Sequence, residues 1–149
     1  MKTKSLAFTL LVVFILTFSI TAIYAEDVTV GSSTFELPDG FKINETENNT
    51  VTLENNNYFL TVYEGDIVST EEAKQNREEE GYELLGEDTY DAEGVSINQQ
   101  NYKKDNIVSN VYTFTKNDKN YIITLNTLES QPALNSENNP VTHIISSLK

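Results

Sequence analysis

The sequence predicts an α+β domain: an antiparallel β-sheet packed by a mid-chain helix and a C-terminal helix. Three observations carry that prediction. The runs Ile107–Thr115 and Asn120–Leu128 alternate along their length with the period of a pleated strand, and Lys116, Asn117, Asp118 and Lys119 between them have turn chemistry. Val141, Ile144, Ile145 and Leu148 instead recur at i, i+3, i+4 and i+7, the spacing of a helix with one apolar face. The remaining runs are short and separated by Gly, Pro, Asn and Asp, giving the order strands, helix, strands, helix with turns of hairpin length. A long hairpin of aromatic and β-branched residues cannot bury its own apolar face, so the other elements must pack around Ile107–Leu128.

Taken in order, Val28 and Val30, Gly31 to Ser33, then Thr34 to Leu37 read as a short hairpin, stopped by the turn Pro38-Asp39-Gly40. Phe41 and Ile43 resume a strand that fades into Asn48 and Asn49, and Val51 and Leu53 carry the next as far as Asn55, Asn56 and Asn57. The run Tyr58–Tyr63 has apolar groups of both parities, which predicts a strand covered on both faces. A helix starting at Ser69 or Thr70 is its expected cover: Ser69 and Glu72 form a capping-box pattern, Glu71 and Glu72 suit the positive end of the dipole, and Gly81 is a stop. Its apolar stripe is thin, so it should lie shallowly. Leu84 to Tyr90 reads as less regular, Asp91 to Gly94 as a turn, and Val95 to Tyr102 as a strand turned by Lys103 to Asn106. Glu129 to Asn139 is a polar loop, after which Asn139 and Pro140 open the last helix as cap and first residue.

The first 25 residues differ from everything that follows. Lys2 and Lys4 precede an uncharged apolar run over residues 6–23, and the first acids are Glu26 and Asp27, the arrangement of an export signal with cleavage after Ala25 as the preferred point. The run is also long enough to remain as a membrane anchor if uncleaved. Either way, residues 26–149 form a single domain that is secreted or held on the outer face of the cell membrane. No cysteine follows the segment, which excludes a lipid-anchored lipoprotein, disulfides and thiolate metal sites. The formal net charge of −13 becomes more negative once Lys2 and Lys4 leave, a balance that repels nucleic acid and anionic lipid and favours cations or basic surfaces.

The run F-E-L-P-D-G-F from Phe35 to Phe41, the acid-opened helix near mid-chain, the aromatic hairpin and a closing helix ending I-I-S-S-L-K from Ile144 to Lys149 together resemble the PsbP-like α/β/α sandwich superfamily. That superfamily includes extrinsic photosystem proteins, a nuclear import factor that binds a small GTPase, and many exported prokaryotic proteins of unknown role. The resemblance implies a central antiparallel sheet with helices on its faces and roles in binding or assembly rather than catalysis. It carries over no functional residue, because no family site motif matches positions here.

Reactive side chains are scarce. His143 is the only histidine, and helical spacing turns it away from the apolar stripe toward water. Glu78, Glu79 and Glu80 fall at the negative end of the first helix and read either as a solvated acidic face or as a patch for a cation or basic partner. Glu87, Asp88, Asp91 and Glu93 beside Gly94 offer oxygen ligands of the kind Ca²⁺ accepts, without the spacing of an EF-hand. Asn44 and Asn48 begin N-glycosylation sequons in a stretch that reads as loop. Tyr58, Tyr63, Tyr102, Tyr112 and Tyr121 with Phe59 and Phe114 either build the core or line a groove for a sugar or peptide. The expected function is non-catalytic: an exported domain binding a protein or envelope component through its sheet face or acidic surface, with no cofactor. The alternatives are a small-ligand or Ca²⁺-binding module using the acidic turn or an aromatic groove, and a carboxylate-pair hydrolase for which no acid is singled out.

Overall fold

The computed structural model describes residues 25–131, 134 and 138–149. The apolar leader lies outside the described residues. Among those described, no helix is long and apolar enough to cross a membrane.

The elements run β1 (Asp27–Val30), β2 (Ser33–Glu36), β3 (Lys42–Glu47), β4 (Thr50–Glu54), β5 (Tyr58–Glu64), α1 (Thr70–Glu79), β6 (Glu83–Ala92), β7 (Val95–Lys104), β8 (Ile107–Lys116), β9 (Lys119–Leu128) and α2 (Pro140–Ser147). The predicted long hairpin forms as β8–β9, in register from Ile107–Leu128 to Lys116–Lys119. Asn117 and Asp118 take φ of 53° and 60° at its tip, the left-handed backbone that Asn and Asp tolerate in a two-residue turn. The sheet order is β3-β4-β5-β9-β8-β7-β6, all antiparallel, so β9 is the middle strand and the hairpin is the sheet's centre. Two meanders, β3-β4-β5 and β6-β7-β8-β9, are joined where β5 pairs with β9, and the α1 segment carries the chain from the first to the far edge of the second.

The two faces are built differently. One carries Leu53, Leu60, Val62, Phe114, Ile123 and Leu125, all buried against the separate β1–β2 hairpin and α2. The stripe Val141, Ile144, Ile145 and Leu148 is buried there as its spacing predicts. Asn139 caps α2, its Oδ1 accepting from Val141 N at 2.9 Å, and Lys116 Nζ from the hairpin tip donates to Ile145 O at the other end, where the helix dipole favours a cation. Lys149 exchanges backbone hydrogen bonds with Thr34, and Glu36 N donates to Ser147 Oγ, stitching the C-terminus to β2.

The opposite face carries α1, capped by Ser69 as expected, with Glu72 N donating to Ser69 Oγ at 3.2 Å and Gly81 at φ 88° beyond its end. No residue of α1 is buried. It is held by polar reach: Lys74 bridges to Glu87 of β6 at 2.7 Å, and the Arg77 guanidinium lies over the rings of Tyr82 and Tyr102.

Three expectations need correcting. Residues 83–92 form a full strand, because nine residues of β7 pair with them despite a weakly β-prone, polar sequence; the Leu84/Gly86 bulge is where that sequence yields. The turn that follows is only Glu93-Gly94, and Lys103 and Lys104 belong to β7. Helix α1 packs against β6 rather than closing the second face of β5, so Phe59 stays 39% exposed.

Candidate functional site

The side-chain parity of β7 and β8 builds an open groove on the face shared with α2. Gln99 and Asn101 share parity with the buried Ile97, and Asn110 shares it with Tyr112 and Phe114, so three amides point where a core would be expected. In register, Asn101 faces Asn110 and Gln99 faces Tyr112. These strands are ten residues long, about 33 Å at 3.3 Å per residue, whereas the four-residue β1 and β2 reach about 13 Å. Helix α2, at eight residues, spans about 12 Å. The cover is therefore shorter than the sheet. The uncovered part is a cavity of about 770 Å³ whose floor holds Gln99, Asn101 and Asn110 and whose walls include Tyr58, Tyr90 and the start of α2 at Asn139 and Thr142.

The polar groups are partly pre-ordered. Tyr90 Oη donates to Gln99 Oε1 at 2.9 Å, and Gln99 Nε2 donates to Asn101 Oδ1 at 2.8 Å. That chain fixes both amides and leaves Asn101 Nδ2 as an outward donor. The Asn110 side chain beside it makes no hydrogen bond among the described residues. Burial, with the Asp88 carboxylate adding to it, holds the Tyr90 hydroxyl above its ordinary pKa; burial does the same for Tyr112 against a partial offset from Asn139. Both are neutral hydroxyls at physiological pH. No Lys or Arg lines the cavity among the described residues. Glu93 sits at the rim, and Glu129 holds Lys103 at 2.7 Å.

The acidic set predicted to hold Ca²⁺ does not converge. Glu87 and Asp91 point to the α1 face, Asp88 to the opposite one, and Glu93 lies in the turn. Glu87 is engaged by Lys74 and Asn98, which hold its carboxyl below the usual range. The reading of residues 91–94 as one turn is what grouped these acids; as strand residues they are split by the pleat. Among the described residues, no three His, Asp or Glu side chains gather as a metal site. Asn44 is exposed but lies within strand β3, not in a loop, while Asn48 is exposed in the β3–β4 turn. His143 is exposed as expected, 3.9 Å from Glu36. Glu78 and Glu79 close α1, and Glu80 is its C-cap, with Lys104 Nζ donating to the Glu80 carbonyl. Of the aromatics, Tyr102, Tyr112, Tyr121 and Phe114 are buried, and Tyr58 stands on the groove wall. The sequence reading missed Tyr90 and the three amides.

One further cluster has the composition of a nucleophile site. Lys119 Nζ donates to Ser33 Oγ at 2.8 Å, Tyr121 Oη is 2.7 Å from the same oxygen, and Glu64 lies 4.0 Å from Lys119. Ser33 is 1% exposed, which leaves no room for an acyl donor beside its hydroxyl. The cluster instead ties the β1–β2 turn to the sheet, with Ser32 N and Oγ donating to Glu64 Oε1 at 3.1 and 2.8 Å.

On the other face, Phe59, Ile107 and Leu128 form an exposed apolar corner beside Asn126. Comparison with protein-family models and with curated proteins finds no match to this chain.

Proposed function

We propose that this chain is an exported, non-catalytic binding domain of the PsbP-like sandwich type, and that it takes an envelope component in the groove between α2 and strands β6 to β9. The sandwich reading is supported by α1 and α2 lying on opposite faces of one antiparallel sheet. The binding reading is carried by one observation: an open cavity of about 770 Å³ floored by amides held in a Tyr90–Gln99–Asn101 hydrogen-bond chain. Ligand clefts typically have volumes of about 300–1,000 Å³ with a few placed polar groups on mostly apolar walls. Amides at core parity forfeit the burial that Val or Leu would give there, a cost that ligand recognition explains.

The test is capture of envelope fractions from the native cell by the immobilised chain, at low and high salt, with and without Asn101→Ala plus Asn110→Ala. Binding in a groove with no Lys or Arg among its described lining residues should survive high salt and be lost in the double variant. Capture that vanishes with salt and ignores the double variant assigns the interaction to the acidic surface instead.

A further inference from the structure

The lining also selects a ligand class, on the reading that the groove is the binding site. We infer that it takes a neutral oligosaccharide. Charge supplies the first step. With no Lys or Arg among the described lining residues and two glutamates at its margin, the groove offers no counter-charge to a phosphate, a uronic acid or a peptide carboxylate.

Backbone bookkeeping supplies the second. The floor strands β7, β8 and β9 each have a hydrogen-bonded neighbour on both sides, so their backbone groups are spent within the sheet. An extended peptide is usually held by adding to a free strand edge; the floor has none, and the one free edge beside it, that of β6, is on the side turned away from β7 and the amides. Recognition must go through side chains. Asn101 and Asn110 each combine a donor and an acceptor in one planar group, and neighbouring sugar hydroxyls likewise both donate and accept. The chain from Tyr90 through Gln99 fixes the orientation of Asn101, so little side-chain entropy is lost when a ligand pairs with it.

The walls supply the third. Tyr58 and Tyr90 line the groove with aromatic rings, and the Tyr90 hydroxyl reaches the floor amide of Gln99, a pairing of apolar ring and polar group that matches a pyranose, which has apolar C–H faces and a hydroxylated edge. Because the cavity is open, the chain of rings can continue out of it, so a short oligosaccharide fits better than one enclosed ring.

The test is ¹⁵N NMR of the purified chain, following the side-chain NH₂ resonances of Gln99, Asn101 and Asn110. The probes are maltotriose, cellotriose and triacetylchitotriose, set against tetra-alanine amide and tri-galacturonic acid. At least one neutral trisaccharide should shift all three resonances saturably at millimolar concentration or below. Asn101→Ala and Asn110→Ala should each weaken that binding about tenfold, the cost of one lost hydrogen bond. Asn110→Ser should partly restore it, with thermal melts showing that each variant is folded. Shifts with tetra-alanine amide or tri-galacturonic acid, and none with the neutral sugars, overturn the ligand class and leave the groove reading standing. No shift with any probe overturns the saccharide assignment, and the groove reading itself falls if envelope capture also ignores the double variant.

Discussion

The two faces of the sheet are covered in opposite ways, and the contrast separates what holds this fold from what decorates it. On one face α2 and the β1–β2 hairpin bury Val30, Phe35, Val141, Ile144 and Ile145 against the middle strands. On the other, no residue of α1 is itself buried, and the helix is held by Lys74, Arg77 and the Lys104 contact to its C-cap. Apolar burial is worth about 25 cal/mol per Å², whereas exposed ion pairs contribute at most about 1 kcal/mol. The first cover is therefore part of the cooperative core, and α1 is a local element that can open without unfolding the sheet.

Substitutions should break the symmetry between the covers in a fixed order. The largest effect is expected from Ile144→Ala, about 2–5 kcal/mol in urea unfolding, because the side chain is fully buried. Gly31→Ala follows. Gly31 has φ 57°, and a Cβ there would stand 2.8 Å from the Glu64 carboxylate, so a cost of about 1–2 kcal/mol from backbone strain alone is expected, plus displacement of Glu64.

Glu64 sharpens the comparison by pH. Burial raises its pKa, but hydrogen bonds from Ser33 and Ser32 and the charge of Lys119 outweigh this and leave it lowered. A carboxyl with a folded pKa below its unfolded value stabilises the fold above the unfolded pKa, and that contribution is lost as pH falls through the folded one. Melting temperature measured from pH 6 downward should therefore fall less steeply in Glu64→Gln than in the parent chain.

The helix caps come next. Asn139→Ala should cost about 1 kcal/mol of global stability, because α2 is fused to the core. Ser69→Ala should leave global stability within a few tenths of a kcal/mol and instead speed amide exchange across residues 70–79. Equal global losses from the two caps would erase the distinction between the covers. The smallest effect is expected for Lys74→Gln, a few tenths of a kcal/mol at most, since its partners Glu71 and Glu87 are at the surface.

What the sequence reveals follows the same division. The β8–β9 hairpin, both N-caps and the buried stripe of α2 are legible because each is set by local periodicity or by capping chemistry within a few residues. Strand β6 is not, because only pairing with β7 makes E-L-L-G-E-D-T-Y-D-A extended. That error created the apparent acidic turn. The groove is hidden for a different reason: Gln99, Asn101 and Asn110 look like ordinary solvent-facing strand positions until parity with Ile97 and Tyr112 places them on the core side. Amides at core parity on strands predicted to be central were the available signal.

Tyr90 and Phe59 offer a direct comparison, since they are 36% and 39% exposed and stand on opposite faces of the same sheet. Hydroxyl-radical footprinting of the chain with and without solubilised native envelope should protect Tyr90 and leave Phe59 unchanged. Protection of Phe59 with Tyr90 still fully reactive would contradict a binding site in the amide-floored groove.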